Sequence, residues 1–99
     1  MARLIWTEAA LNDLDAVADY IAVDKPVAAS RYLLKVLEQV ERLERFPQSG
    51  KCPPEYPGSP YREVIVPPCR IFYRVERDVV RILHVMRAER VLRRDMLEE

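Results

Sequence analysis

Apolar residues change period twice along this chain, and each change marks an element. Arg3-Leu4-Ile5-Trp6 is a short apolar run, predicted to be a strand, that stops at Thr7, a good helix N-cap. From Glu8 the spacing becomes helical: Leu11, Leu14, Val17, Ala18 and Ile21 recur at three- and four-residue steps. The break Asp24-Lys25-Pro26 predicts a helix end near Val23, and Pro26 suits the first position of a second helix. That helix is predicted to carry Leu33, Val36, Leu37, Val40 and Leu43 on one face, with Phe46 just beyond. Arg31, Lys35, Glu38, Gln39, Glu41, Arg42 and Arg45 line the other face. Two helices joined so tightly form an antiparallel hairpin whose shared apolar face needs a cover.

The stretch from Pro47 to Pro60 holds five prolines and both glycines, so it is predicted to be irregular. A mobile connector is favoured over a binding loop there. Three β-rich runs follow: Tyr61 to Val66, Arg70 to Glu76 after Pro67-Pro68, and Val79 to Met86 after a tight turn at Arg77-Asp78. The last run is nearly all apolar, which places it centrally with cover on both faces. Ala88 to Glu99 is predicted to be a charged helical or frayed tail anchored by Val91, Leu92 and Leu97. The expected fold class is α+β: a short strand, a two-helix hairpin, a three-stranded antiparallel sheet and a short C-terminal helical tail.

Length and composition narrow the class. Ninety-nine residues, 49% hydrophobic and 32% charged, suit a single globular domain over 1–99. Sixteen basic and sixteen acidic side chains cancel, unlike the usual nucleic-acid or membrane binder. The balance is uneven, however, with nine arginines against four carboxylates between Arg62 and Arg94. Cys52 and Cys69 have neither a disulfide framework nor a zinc-site spacing around them. The opening residues lack the apolar core of a signal peptide, and no window approaches a membrane span. A cytoplasmic protein with reduced thiols, no metal and no cofactor is expected.

No strong catalytic motif is present: there is no phosphate loop, no zinc helix and no nucleophile elbow. His84, in an apolar strand, is expected to be a hydrogen-bonded, partly buried imidazole. Trp6 is expected to be core, and Tyr61, Phe72 and Tyr73 to be sheet packing rather than stacking platforms. Arg62, Arg70 and Arg87 belong to the three predicted sheet strands or their ends. Three converging guanidiniums could grip a phosphate or a carboxylate-rich segment. Equally, their stems could simply cover apolar surface, and strand parity alone does not decide between the two.

The run Trp6-Thr7-Glu8-Ala9-Ala10, with Asp13-Leu14 and Ala18-Asp19-Tyr20-Ile21, resembles the opening of toxins in the RelE/ParE superfamily. Leu43 to Gly50 (LERFPQSG) is similar to that family's exit from the second helix. Tyr61-Arg62-Glu63, Cys69 to Val75 and Ile82 to Met86 are similar to its sheet strands. The resemblance implies a type II toxin made with a cognate antitoxin, a ribbon-helix-helix protein whose C-terminal region wraps the toxin. The superfamily divides into members that cleave mRNA on the ribosome and members that poison DNA gyrase.

Metal-free RNA cleavage needs a base, a cation and an acid around the phosphate. Arg62 and Arg70 could supply the cation, but only Glu63 and Tyr73 are nearby proton-transfer candidates. Arg87 stands where the family often shows His, and no Tyr or His follows it. Neutral overall charge also suits ribosome docking poorly. The resemblance is therefore closer to the ParE branch: a gyrase inhibitor without catalytic residues, touching DNA only through gyrase or the antitoxin. Arg62, Arg70, Arg74, Arg87 and Arg90 are the candidate antitoxin- or target-binding residues. The alternatives are a RelE-like ribonuclease using Arg62, Arg70, Arg87 and Tyr73, or an inactive homologue that only binds antitoxin.

Overall fold

A computed structural model describes residues 1–98. The chain runs β1 (Arg3–Trp6), α1 (Glu8–Asp24), α2 (Pro26–Glu41), β2 (Tyr61–Val66), β3 (Cys69–Glu76) and β4 (Val79–Arg87), with 3₁₀ turns at Arg42–Glu44 and Arg94–Met96. The α+β expectation holds, with one change in the sheet. The three antiparallel strands are joined by β1, giving a four-stranded mixed sheet in the order β1-β4-β3-β2. β1 runs parallel to β4, with Leu4 opposite Val80 and Trp6 opposite Ile82. A parallel pair needs a long covering connection, and the helical hairpin follows β1 directly. Leu4 and Trp6 pack against the same core as the hairpin, so pairing with β4 buries the apolar run that opens the chain.

Thr7 ends β1 and starts α1. Its Oγ1 accepts from the Ala10 backbone N–H at 3.2 Å and donates to the Ile82 carbonyl at 2.8 Å. One hydroxyl therefore caps the helix and ties it to the central strand. On α1 the buried line is Ala10, Leu14 and Ala18, with Val17 and Ile21 beside it, whereas Leu11 is 47% exposed. On α2 the buried line is Ala29, Tyr32, Val36 and Val40, continued by Leu43. Val36, Val40 and Leu43 of the predicted stripe are buried as expected and Leu33 is partly buried, but Leu37 falls outside at 45% exposure; Phe46, beyond the stripe, is 57% exposed. Tyr32 joins the buried line because its hydroxyl donates to the Val66 carbonyl at 2.6 Å, which lets a polar tip be buried.

The sheet separates two clusters. Cys69, Ile71 and Tyr73 of β3 with Val80, Ile82 and Val85 of β4 face the helices. Phe72, Leu83 and Met86 face the opposite way. Alternation in β4 is broken because Tyr73 pairs with Ile82 while Phe72 pairs with His84, leaving Leu83 as the extra residue of a bulge. As expected, β4 is central and covered on both faces. His84 is the hydrogen-bonded imidazole expected, its Nδ1 lying 2.7 Å from Asp13 Oδ2, which also accepts from the Val85 N–H. Trp6 is partly buried against the core.

The second cluster is covered without regular structure. Leu92 and Leu97 of the tail are buried on it, beside Tyr56 of the proline-rich loop. The tail is not a helix beyond its single 3₁₀ turn, and Val91, expected as an anchor, is 74% exposed. The loop, expected as a mobile connector, is docked at several points, though Pro54, Pro57, Gly58 and Pro60 are exposed. Lys51 bridges Glu63 beside β2, and Pro53 is fully buried. A Cβ on Gly50 would overlap the Tyr73 hydroxyl and the Glu63 carbonyl, so the chain can pass there only as glycine.

Candidate functional site

Four of the five candidate binding arginines are divided between the two faces of the sheet, and Arg90 lies beyond the end of β4. Arg62 lies opposite Tyr73 and Arg87 opposite Cys69, so both share the helix-covered face. Those β3 positions are four residues apart, about 13 Å along the strand, and β2 and β4 flank β3 at a further two strand spacings. Arg70 and Arg74 point to the other face. The structure therefore does not bring Arg62, Arg70 and Arg87 together around one ligand.

Arg70 is 6% exposed, and each of its N–H groups is used. Nε donates to Glu63 at 3.0 Å, and Nη2 donates to Glu63 at 2.6 Å and to Glu55 at 2.7 Å. Nη1 donates to Glu55 at 2.8 Å and to the Arg90 carbonyl at 3.2 Å. These are five bonds from five donors, with the guanidinium also 4.8 Å from the centre of the Phe72 ring. The bidentate grip of Arg70 pulls the Glu55 carboxyl down to about 2; the Leu92 N–H, at 3.0 Å, lowers it further and burial opposes both. Donating these hydrogen bonds to Glu55 likewise holds the Arg70 guanidinium above its usual range. Glu63 is 2% exposed, so it relies on Arg70, with Lys51 Nζ also near its charge, at 3.9 Å.

Arg62 is also committed. Its Nη1 donates to the Gln48 and Gly50 carbonyls at 3.1 and 2.6 Å, holding the start of the loop against β2. Tyr73 is fully buried: its hydroxyl donates to the Pro47 carbonyl and accepts from the Gly50 N–H, both at 2.9 Å. Burial pushes that phenol's ionisation up, away from any use as a base near neutrality. Arg74 stacks 5.9 Å from Tyr61 and pairs with Glu76 at 3.2 Å.

Arg87 and Arg90 stand apart from this framework. Arg87 lies 5.9 Å from the exposed Tyr20 ring and bonds Glu89 at 2.6 Å, which raises its ionisation. The two arginines line a groove of about 510 Å³ between α1 and the end of β4, whose walls include Val17, Tyr20, Met86 and Met96. Sequence reasoning named Glu63 only as a proton-transfer candidate and missed Glu55 and Tyr20. A lone carboxylate in a proline-rich loop carries no periodicity, so nothing local ties it to an arginine 15 residues away. Tyr20 was legible as a large ring off the apolar stripe of α1. Both cysteines are free thiols, and among the described residues no group of three metal-ligating side chains occurs.

Comparison with known proteins decides the family. Residues 4–92 match the family model described as ParE toxin of type II toxin-antitoxin system, parDE. The chain belongs to the ParE toxin family. Among curated relatives, Toxin RelE2 of Caulobacter vibrioides is 36% identical over 92 residues, covering 92% of this chain and 100% of that protein. Putative toxin Y4kP of Sinorhizobium fredii is 39% identical over 90 residues, covering 87% and 88% of the two chains. A solved structure titled as the chromosomal ParDE TA system from P. aeruginosa is 32% identical with a TM-score of 0.76, covering 90% of this chain and 98% of that one. The protein is thus a type II toxin of the RelE/ParE superfamily. The ParE match runs from β1 to Leu92 and so includes Arg70, Glu63 and Glu55.

Proposed function

We propose that this toxin acts in the cytoplasm by binding rather than by catalysis, that its target is DNA gyrase, and that a cognate ribbon-helix-helix antitoxin neutralises it. One observation carries the choice of binding over catalysis. Three of the four groups a metal-free ribonuclease would draw on are committed to the fold, Arg70 by five hydrogen bonds, Tyr73 by two and Arg62 by the loop carbonyls, which leaves Arg87 alone at the surface. The ParE family match and the ParDE title of the similar structure favour the gyrase branch and an antitoxin partner. Arg87 and Arg90 at the α1–β4 groove offer cations to an acidic, apolar-anchored antitoxin segment lying along the hairpin. Contact with DNA is then indirect, through gyrase or the antitoxin. Among the described residues no helix is long and apolar enough to cross a membrane.

The test is a supercoiling assay with purified toxin, gyrase and plasmid. Inhibition or accumulated cleaved plasmid is expected, relieved by the protein encoded in the adjacent reading frame, which should also copurify with the toxin. Indifference of gyrase together with codon-dependent cuts on translating ribosomes would establish the ribonuclease instead. Unaffected growth on expression without antitoxin would mark an inactive homologue.

A further inference from the structure

The cover on the second face of the sheet is built from two segments far apart in sequence, and one carboxylate joins them. Glu55, in the loop, is gripped by the Arg70 fork at 2.7 and 2.8 Å, and its Oε2 also accepts the Leu92 N–H of the tail at 3.0 Å. Tyr56 donates its hydroxyl to the Leu92 carbonyl at 3.3 Å, and Arg70 Nη1 reaches the Arg90 carbonyl at 3.2 Å. Beneath these bonds Tyr56, Leu92 and Leu97 share one apolar cluster with Phe72. Loop and tail therefore hold each other through the same few atoms.

Both segments also have a fixed root. The loop is pinned at Lys51, which exchanges two backbone hydrogen bonds with Glu63 at 2.7 and 3.1 Å. The tail is pinned at Ala88, whose N–H donates to the Pro68 carbonyl at 2.8 Å. Beyond those roots neither segment has a ladder or a multi-turn helix of its own. Such regions open at free energies well below that of global unfolding.

We propose that residues 53–60 and 90–97 form one strap that opens and closes as a unit on the Phe72 face, with Glu55 as its latch on Arg70. Opening of either segment alone is penalised. If the loop leaves, Arg70 loses its bonds to Glu55 and the Leu92 N–H loses its acceptor. If the tail leaves, Tyr56 loses its acceptor, Glu55 loses the Leu92 N–H, and Leu92 and Leu97 leave the apolar cluster. Joint opening uncovers Phe72, Leu83 and Met86 together with the Arg70 fork, so this face becomes available only when both segments depart. The strap is independent of which target the toxin binds.

Native-state amide exchange on the purified full chain tests this directly. In the unmodified protein, the Tyr56 and Ser59 amides of the loop and the Met96 and Leu97 amides of the tail should share one protection factor. That factor should lie at least about tenfold below that of Ile71 and Val85 in the sheet. Glu55→Gln keeps the side chain's shape and removes its charge; Leu97→Ala loosens the tail from its far end. Each should lower loop and tail protection by the same factor, at least about fivefold. Loop and tail amides that differ in protection, or respond to only one variant, would overturn the strap. Protection equal to that of the sheet would overturn it too, since opening would then be global unfolding. Glu55→Gln makes no cavity, so the comparison stands even where Leu97→Ala fails to fold.

Discussion

The two faces of one sheet are covered by opposite means. Towards the hairpin, Ala10, Leu14, Tyr32, Val36 and Val40 meet Ile71, Tyr73, Val80 and Ile82, an apolar contact between regular elements. On the other face, Phe72, Leu83 and Met86 are covered by a proline-rich loop and an irregular tail, held by Leu92, Leu97 and the Glu55–Arg70–Glu63 cluster. A helix brings its own backbone hydrogen bonds and needs only an apolar stripe to dock. An irregular segment brings unsatisfied backbone groups, so side chains must satisfy them. That is the use made of Arg70 on the Arg90 carbonyl and Glu55 on the Leu92 N–H; Arg62, on the helix-covered face, does the same for the Gln48 and Gly50 carbonyls where the loop begins. Arginines that look like a ligand site in sequence here complete the cover of an irregular surface.

Breaking the ion cluster should give the largest effect. Arg70→Met strands Glu63 as an unpaired buried carboxylate and is expected to cost about 3–5 kcal/mol in urea unfolding. Pairing it with Glu63→Leu, which removes both charges, should restore much of that loss.

Next comes the contrast between the covers. Leu14→Ala, on the helix face, should cost about 2–5 kcal/mol of global stability. Leu97→Ala should fall at or below the lower end of that range, because the tail can collapse or detach locally. Equal global losses would erase the distinction between the two faces. Tyr73→Phe sharpens it from the boundary, since it leaves the apolar ring and orphans the buried Gly50 N–H; about 1–3 kcal/mol is expected.

The pH profile isolates the irregular cover. Glu55 is held down to about 2, below its unfolded value, so its stabilisation is present above the unfolded value near 4.5 and is lost as pH falls towards 2. Urea midpoints measured between pH 6 and about 2.5 should fall through this window in the unmodified protein and flatten in Glu55→Gln. The smallest effect is expected at the groove. Arg87 pairs with Glu89 in the open, so Arg87→Ala should leave the melting temperature unchanged while weakening antitoxin binding in a salt-dependent way.

How much was legible follows from the same contrast. The strand-to-helix switch at Thr7, the break at Pro26 and the three antiparallel strands were readable because capping, proline chemistry and periodicity are properties of adjacent residues. On α2, Val36, Val40 and Leu43 were readable, while local apolarity favours Leu37 over Tyr32. Only the Val66 carbonyl across the core makes Tyr32 the better buried side chain. Of the candidate arginines, Arg62 and Arg70 are bound into the framework, Arg74 pairs with Glu76 at the surface, and Arg87 and Arg90 share a groove.

The sequence by itself determined the α+β order, the hairpin, the central apolar strand and the resemblance that places the chain among RelE/ParE toxins. These rest on short-range patterns and on the order in which they occur. The tertiary structure alone decided that β1 joins the sheet in parallel and that loop and tail share one face. It also decided that Arg70 spends every donor on Glu55, Glu63 and Arg90. Each of those facts depends on which groups meet across long stretches of chain, where a single carboxylate or carbonyl settles what an arginine can do.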